Sequence, residues 1–389
     1  MASVARKHVC RLLSFYRSAV SLKSAFNVAP IGARTFFSHE ALKLDLFKEK
    51  QKRIRSKYDK ETFLHKLTEV DYSYHGNDIE TAIYLADKDD CEILMDVLNI
   101  FNSKPGSTSK SAKLTSLLVQ NMHINNMASH IAKLLSNVDL TRSSYSGVIL
   151  PALDCLFDNK MYDELLDIVF KIVEGKGFRA ENAGERDASM LLMVLSLFSK
   201  GDEESYDLLK EFMEEKHLYR VKTRCRIQAV TGRFALKMGD MEYAEQVLFE
   251  YTEHWTKPDK LLINTQVAFY LASKDWEHAI KMANDLLNNS NIPQRALFAS
   301  DVMAELTKVI PEGDEYKSMH EKLLKEVTLK NLTRQETLDE MLRTEKAVLY
   351  NLKTPEKEKP QKYSNKTDKT LVLRVKPWKL FLEVGDIYN

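Results

Sequence analysis

Residues 145–173 read YSGVILPALDCLFDNKMYDELLDIVFKIV. Tyr145, Ile149, Ala152, Leu153, Leu156 and Phe157 recur at i, i+4, i+7, i+8, i+11 and i+12, the apolar stripe of one helix. Asp158-Asn159-Lys160 interrupts the pattern with turn-forming residues. Tyr162, Leu165, Leu166, Val169, Ile172 and Val173 then form a second stripe at the same spacing. Two amphipathic helices joined by so short a polar link must be antiparallel neighbours. Pro151 falls inside the first of them and removes one backbone donor. Gly175 and Gly177 mark the end of the second.

The junction of this hairpin recurs along the chain. Lys88-Asp-Asp-Cys-Glu-Ile93, Asn126-Met-Ala-Ser-His-Ile131, Lys160-Met-Tyr-Asp-Glu-Leu165, Gly201-Asp-Glu-Glu-Ser-Tyr206, Gly239-Asp-Met-Glu-Tyr-Ala244 and Lys274-Asp-Trp-Glu-His-Ala279 each place a polar turn before an amphipathic helix. The successive separations are 38, 34, 41, 38 and 35 residues, the length of one helix-turn-helix repeat. Further pairs are expected at about 111–121 with 126–136, 187–200 with 203–216, 219–238 with 241–253, and 260–273 with 276–288. A single pair cannot bury its apolar face, so the pairs are expected to stack. The predicted fold is all-α, an α-solenoid of antiparallel helix pairs, with a small β-hairpin as one option at the C-terminus.

Composition agrees. A hydrophobic fraction of 44% in 389 residues supplies a core, while only 12 Gly and 9 Pro are too few for the turns of a sandwich, barrel or doubly wound sheet. Charge divides the chain. Residues 1–39 hold Arg6, Lys7, Arg11, Arg17, Lys23 and Arg34 and no acid; the rest carries 51 basic against 56 acidic residues. An acid-free, Arg- and Ser-rich leader with Ala5, Val9, Leu12, Leu13, Tyr16 and Val20 on one helical side has the composition of a mitochondrial transit peptide, assigned to 1–38. Arg11, Ser14 and Arg17 interrupt the apolar core that a secretory signal needs. No stretch approaches the length of a membrane span. Cys10, Cys91, Cys155 and Cys225 are far apart, a spacing of free thiols and not of a disulfide framework or zinc site.

The remaining divisions are a charged helical segment at 41–76, the repeats at 77–290, a helical cap at 291–352 with helices near 294–309, 315–329 and 335–350, and a Lys-rich linker and tail at 353–389. Leu371–Val375 and Leu380–Val384 in the tail are strand-like and suit a hairpin or an extended docking segment. Asn77-Asp-Ile-Glu80 reads as a helix cap with its acidic partner.

The chain carries no phosphate-binding glycine loop, HExxH, GxSxG or CxxC, and its ten His are scattered. No enzyme activity, cofactor or metal is expected. Tyr162 and Trp276 share one column of the repeat; packing between neighbouring repeats explains them better than base stacking. The most suggestive cations lie in Tyr219-Arg-Val-Lys-Thr-Arg-Cys-Arg226 and at Arg233. With Val221, Cys225, Val230 and Phe234 inward, Arg220, Lys222, Arg224, Arg226 and Arg233 are expected to face solvent, where they could hold RNA phosphates. The cations between Lys48 and Lys60 and the Lys-rich tail are weaker candidates.

A basic leader, helix pairs near 35 residues and basic first helices together resemble the pentatricopeptide repeat proteins of mitochondria. Lys60-Glu61-Thr62-Phe63 and Lys66-Leu67 within the charged helix belong to that likeness, which spans roughly 41–310. The resemblance implies a matrix protein that binds mitochondrial RNA and assists transcript maturation, processing or stability, and so respiratory-chain function. Repeat lengths drift from the family's unit, and no base-reading position is assigned. The alternative is a protein-interaction scaffold, such as a mitochondrial ribosome subunit or a respiratory-complex assembly factor, with ribosomal or RNA-processing partners.

Overall fold

A computed structural model of the chain describes residues 36–68, 75–102, 108–138, 146–174, 183–214, 224–249, 259–289, 292, 296–311 and 313–344. All lie in the first of two units, 1–352; the second, 353–389, and with it the expected linker and hairpin, falls outside the described residues. So does the leader up to residue 35.

The described chain is helical throughout. Its helices are α1 (Leu44–Arg55), α2 (Lys60–Thr68), α3 (Gly76–Leu85), α4 (Cys91–Asn102), α5 (Thr108–Ile124), α6 (Ala128–Ser136), α7 (Ser146–Asp158), α8 (Tyr162–Glu174), α9 (Ala183–Lys200), α10 (Glu203–Glu214), α11 (Arg224–Met238), α12 (Met241–Phe249), α13 (Lys260–Ala272), α14 (Trp276–Asn288), α15 (Ser300–Lys308), α16 (Asp314–Leu329) and α17 (Leu338–Thr344). The only extended pairing among the described residues is an isolated parallel bridge between Phe298 and Thr333.

The recurring turn has one physical form. Asn126, Lys160, Gly201, Gly239 and Lys274, the first residues of five of the six repeated segments, all have positive φ, between 53° and 77°. This left-handed residue ends the first helix of each pair. At Lys160 the amide bonds Phe157 O at 3.0 Å and the next amide, of Met161, reaches back to Leu156 O at 2.9 Å. The same pair of bonds closes the turns at Asn126, Gly239 and Lys274. In three turns an aspartate follows and caps the returning helix: Asp202 accepts from Ser205 N (2.7 Å), Asp240 from Tyr243 N (3.1 Å) and Asp275 from His278 N (3.3 Å). The sixth segment, at Lys88, opens a short 3-10 turn instead.

Odd-numbered helices pack on one another in chain order, α1 on α3, α3 on α5, and so on to α13 on α15 and α15 on α17. From α6 to α12, each even helix packs against the odd helices before and after it. An odd helix in the middle is therefore covered on several sides. Residues 188–198 of α9 are all buried, as are Leu261–Phe269 of α13. Polar side chains inside this layer bond carbonyls at neighbouring helix ends. Asn121 donates to Ile83 O (2.7 Å) and Ala86 O (3.2 Å), and Gln266 to Leu248 O (3.0 Å).

Three expected boundaries differ. The charged segment is two helices, because Asp59 caps a new one by accepting from Thr62 N at 2.9 Å. Helix α3 begins at Gly76, so Asn77 lies inside its first turn and is not the cap; Glu80 lies between Lys50 and Lys113 instead. The helix expected from 294 begins at Ser300. Phe298 N donates to Leu332 O (3.2 Å), Phe298 O accepts from Arg334 N (2.8 Å), and Ala299 N donates to Asn264 Oδ1 (3.1 Å), so this backbone is committed outside a helix.

Candidate nucleic-acid interface

Helix α11 carries the described part of the cationic patch. Cys225, Val230 and Phe234 point inward, as their spacing predicts. Arg220, Lys222 and Val221 fall outside the described residues, as does the side chain of Arg224.

Arg226 and Arg233 do not face open solvent, which corrects the expectation for these two. Arg226 is only 7% exposed. Its Nη2 donates to Leu342 O at 2.7 Å, and its guanidinium stands 5.0 Å from the centre of the Phe36 ring. Arg233 lies between two carboxylates, Nε to Asp339 Oδ1 at 2.7 Å and Nη2 to Asp301 Oδ2 at 3.1 Å. Lys237, one turn further, donates to Asp339 Oδ2 at 2.9 Å and sits 5.2 Å from the Phe198 ring. The cause is α17, which packs against α9, α11, α13 and α15. Leu338, Met341 and Leu342 of this helix are fully buried. Helical spacing defines the face of α11 but cannot reveal a cover supplied more than a hundred residues later.

Helix α17 is itself well specified. Thr337 and Glu340 form a capping box, with Thr337 N to Glu340 Oε2 at 2.8 Å and Glu340 N to Thr337 Oγ1 at 3.3 Å. Leu338 N donates to Asp301 Oδ1 at 2.7 Å. Burial favours the neutral form of Asp339, but the hydrogen bonds and charges of Arg233 and Lys237 outweigh it and hold the carboxyl below its ordinary range.

A second segment joins this region from the other end of the chain. Phe36 and Phe37, read from sequence as part of the leader, are packed in the core. Phe36 makes an edge contact with Phe157 at 5.5 Å. Phe37 N donates to Asp154 Oδ1 at 2.9 Å, and Asp154 Oδ2 lies 3.0 Å from Nε2 of the buried His123. Nearby on α9, burial pushes Glu185 up to about 8, against a bond to the backbone of Leu150 and the charge of Lys43. Asp187 is likewise raised by burial, to about 6.

The cations of α1 and the start of α2 divide into two sets. Lys50 pairs with Glu80; Arg55 donates to Tyr84, Leu85 and Ala86 carbonyls and to Asp87; Lys60 joins Asp87 and Asp90. These fasten α1 and α2 to the end of α3. Lys48, Lys52 and Arg53 are exposed, interleaved with Asp45 and Glu49. The outward sides of α8, α10, α12 and α14 are mainly acidic, with exposed Glu164 and Asp167 on α8, Glu203, Glu204 and Asp207 on α10, Glu242 and Glu245 on α12, and Glu277 and Asp285 beside Lys281 on α14.

Tyr162 and Trp276 are both half-buried against the core, Tyr162 with its ring 5.8 Å from Phe157. Among the described residues, no three His, Cys, Asp or Glu side chains are placed to hold a metal ion, and no helix is long and apolar enough to cross a membrane. Cys91, Cys155 and Cys225 are buried free thiols. Comparison of the chain with known protein families, curated proteins and solved structures returns no match.

Proposed function

We propose that the chain is a mitochondrial RNA-binding protein of the pentatricopeptide repeat type, an α-solenoid that assists maturation, processing or stability of transcripts in the matrix. Its overall plan resembles pentatricopeptide repeat domain-containing protein 2. The supporting observation is the succession of odd helices α3 to α13, each packed on the next, with α5 to α13 each ended by a left-handed residue. Such an arrangement presents equivalent helices at regular steps, which suits an extended single-stranded ligand more than a small molecule. Cations would hold phosphates and polar side chains would contact bases, with no chemical step and no cofactor. The test is a gel-shift titration with mitochondrial RNA at two salt concentrations. Binding that weakens steeply with salt supports the reading; no binding at low salt removes it.

A protein-interaction scaffold is the second reading, favoured by the acidic outward sides of α8, α10, α12 and α14. These would repel a polyanion and attract a basic partner, such as a ribosomal or RNA-processing protein. Co-sedimentation with mitochondrial ribosomes that survives nuclease treatment would favour this reading.

A further inference from the structure

Helix α17 places negative groups against the cations of α11. The Asp339 carboxylate lies between Arg233 and Lys237, and the carbonyl of Leu342, in the last turn of the helix, accepts from Arg226. The last carbonyls of a helix carry its negative dipole end, so both contacts offer anionic character to a cation. The three cations are at i, i+7 and i+11 on one face of α11, a line spanning about 16 Å at 1.5 Å per residue. Asp301 adds a further carboxylate at Arg233. The exposed side of α17 carries Glu340, which is occupied with Thr337, while Arg343 lies 5.0 Å from the Phe198 ring.

We infer that Arg226, Arg233 and Lys237 form a phosphate-binding line that α17 occupies as an internal stand-in, so that single-stranded RNA and α17 compete for the same face of α11. The inference rests on the RNA-binding reading above. Competition follows from charge and space together. A phosphate cannot reach Arg233 or Lys237 at hydrogen-bonding distance while the Asp339 carboxylate is between them, and α17 cannot stay docked by its apolar residues alone as firmly as with three charge-assisted bonds. RNA binding by this face is therefore coupled to release of residues 338–344, and any partner that holds α17 elsewhere would raise affinity for RNA.

The test uses the full-length chain and a single-stranded uridine oligonucleotide. Asp339→Asn keeps the shape of the side chain and removes the competing charge. Glu340→Gln makes the same charge change on the side of α17 turned away from α11. Asp339→Asn is expected to tighten binding by about tenfold, equivalent to one charge-assisted contact, and Glu340→Gln to leave it nearly unchanged. In wild-type protein, saturating oligonucleotide should speed amide hydrogen exchange in residues 338–344. That measurement stands if Asp339→Asn fails to fold. Equal affinity of all three proteins, with exchange at 338–344 unmoved by bound oligonucleotide, overturns the competition but leaves RNA binding intact. If none of the proteins binds the oligonucleotide, both readings fall together.

Discussion

Nε of Arg233 and Oδ1 of Asp339 lie 2.7 Å apart across 106 residues of sequence. This contact, with Lys237 on the other oxygen, ties the last described helix to the middle of the chain. Because the Asp339 carboxyl is held below its ordinary range, its contribution has a defined pH window. It is present in full above the unfolded Asp value of about 3.9, declines as pH falls below that, and is gone below the folded value. Acidification below about pH 4 should therefore loosen α17. Amide exchange at 338–344, compared with that in α9, measures it; Asp339→Asn should remove the acid dependence and cost about 1–2 kcal/mol at neutral pH.

Asp154 serves two partners from a fully buried position, the amide of Phe37 and the ring of His123. Asp154→Ala leaves both without their acceptor inside the core. The expected loss is about 3–5 kcal/mol, read from the urea midpoint. Asp154→Asn, which can still accept from Phe37, should lose less. In both variants the Phe37 amide should exchange faster, since the carboxylate that accepts from it is altered.

Glu185 gives the opposite pH sign to Asp339. Burial raises it to about 8, well above the unfolded value of about 4.3. Between these limits the folded chain holds a proton that the unfolded chain has released, so stability falls as pH rises and levels off above about 8. Glu185→Gln keeps the neutral side chain. It should flatten the stability profile across that window, matching wild type near pH ~4 and exceeding it at alkaline pH by about 2 kcal/mol or more. A thermal melt series across pH checks the slope.

How the helices turn was legible from sequence because the signals are local. Gly201-Asp202 and Gly239-Asp240 state both halves of the junction, a left-handed stop and an N-cap, in two residues each. The pair expected at 260–273 and 276–288 is found at Lys260–Ala272 and Trp276–Asn288 for the same reason. The candidate site was less legible. Arg226 and Arg233 were expected to face solvent, but what covers them is a long-range fact. Two sequence signals bear on it. Met190 to Phe198 is apolar apart from Ser196, which requires cover on every side of α9. Thr337-x-x-Glu340 followed by Met341 and Leu342 announces a short capped helix with an apolar face to bury.

Lys160 and Lys274 occupy the left-handed stop that Gly201 and Gly239 fill elsewhere, with φ of 58° and 61°. A side chain there costs about 1 kcal/mol in steric strain, partly offset by the greater freedom of glycine in the unfolded chain. Lys160→Gly and Lys274→Gly should each stabilise the fold by about 0.5 kcal/mol, and together by their sum, since the sites share no partner. Calorimetric melting of the two single variants and the double variant measures this; a loss of stability would show that the lysine stems contribute more than the strain they impose.

Gly232 is required for a different reason, the approach of α12 to α11. A Cβ on Gly232 would lie 2.5 Å from Cδ2 and 2.6 Å from Cγ of Leu248. Leu248 is fully buried, so its side chain cannot swing out into solvent. In an exposed helix, Gly→Ala would gain about 1 kcal/mol from helix propensity; here overpacking should exceed that gain. Gly232→Ala is expected to destabilise by about 1–3 kcal/mol. Leu248→Ala alone should also destabilise, by opening a cavity. In the double variant the new methyl fills part of that cavity, so the combined loss should be smaller than the two single losses added. A double-mutant cycle in urea measures this coupling; strict additivity would show that α11 and α12 do not meet at these two residues.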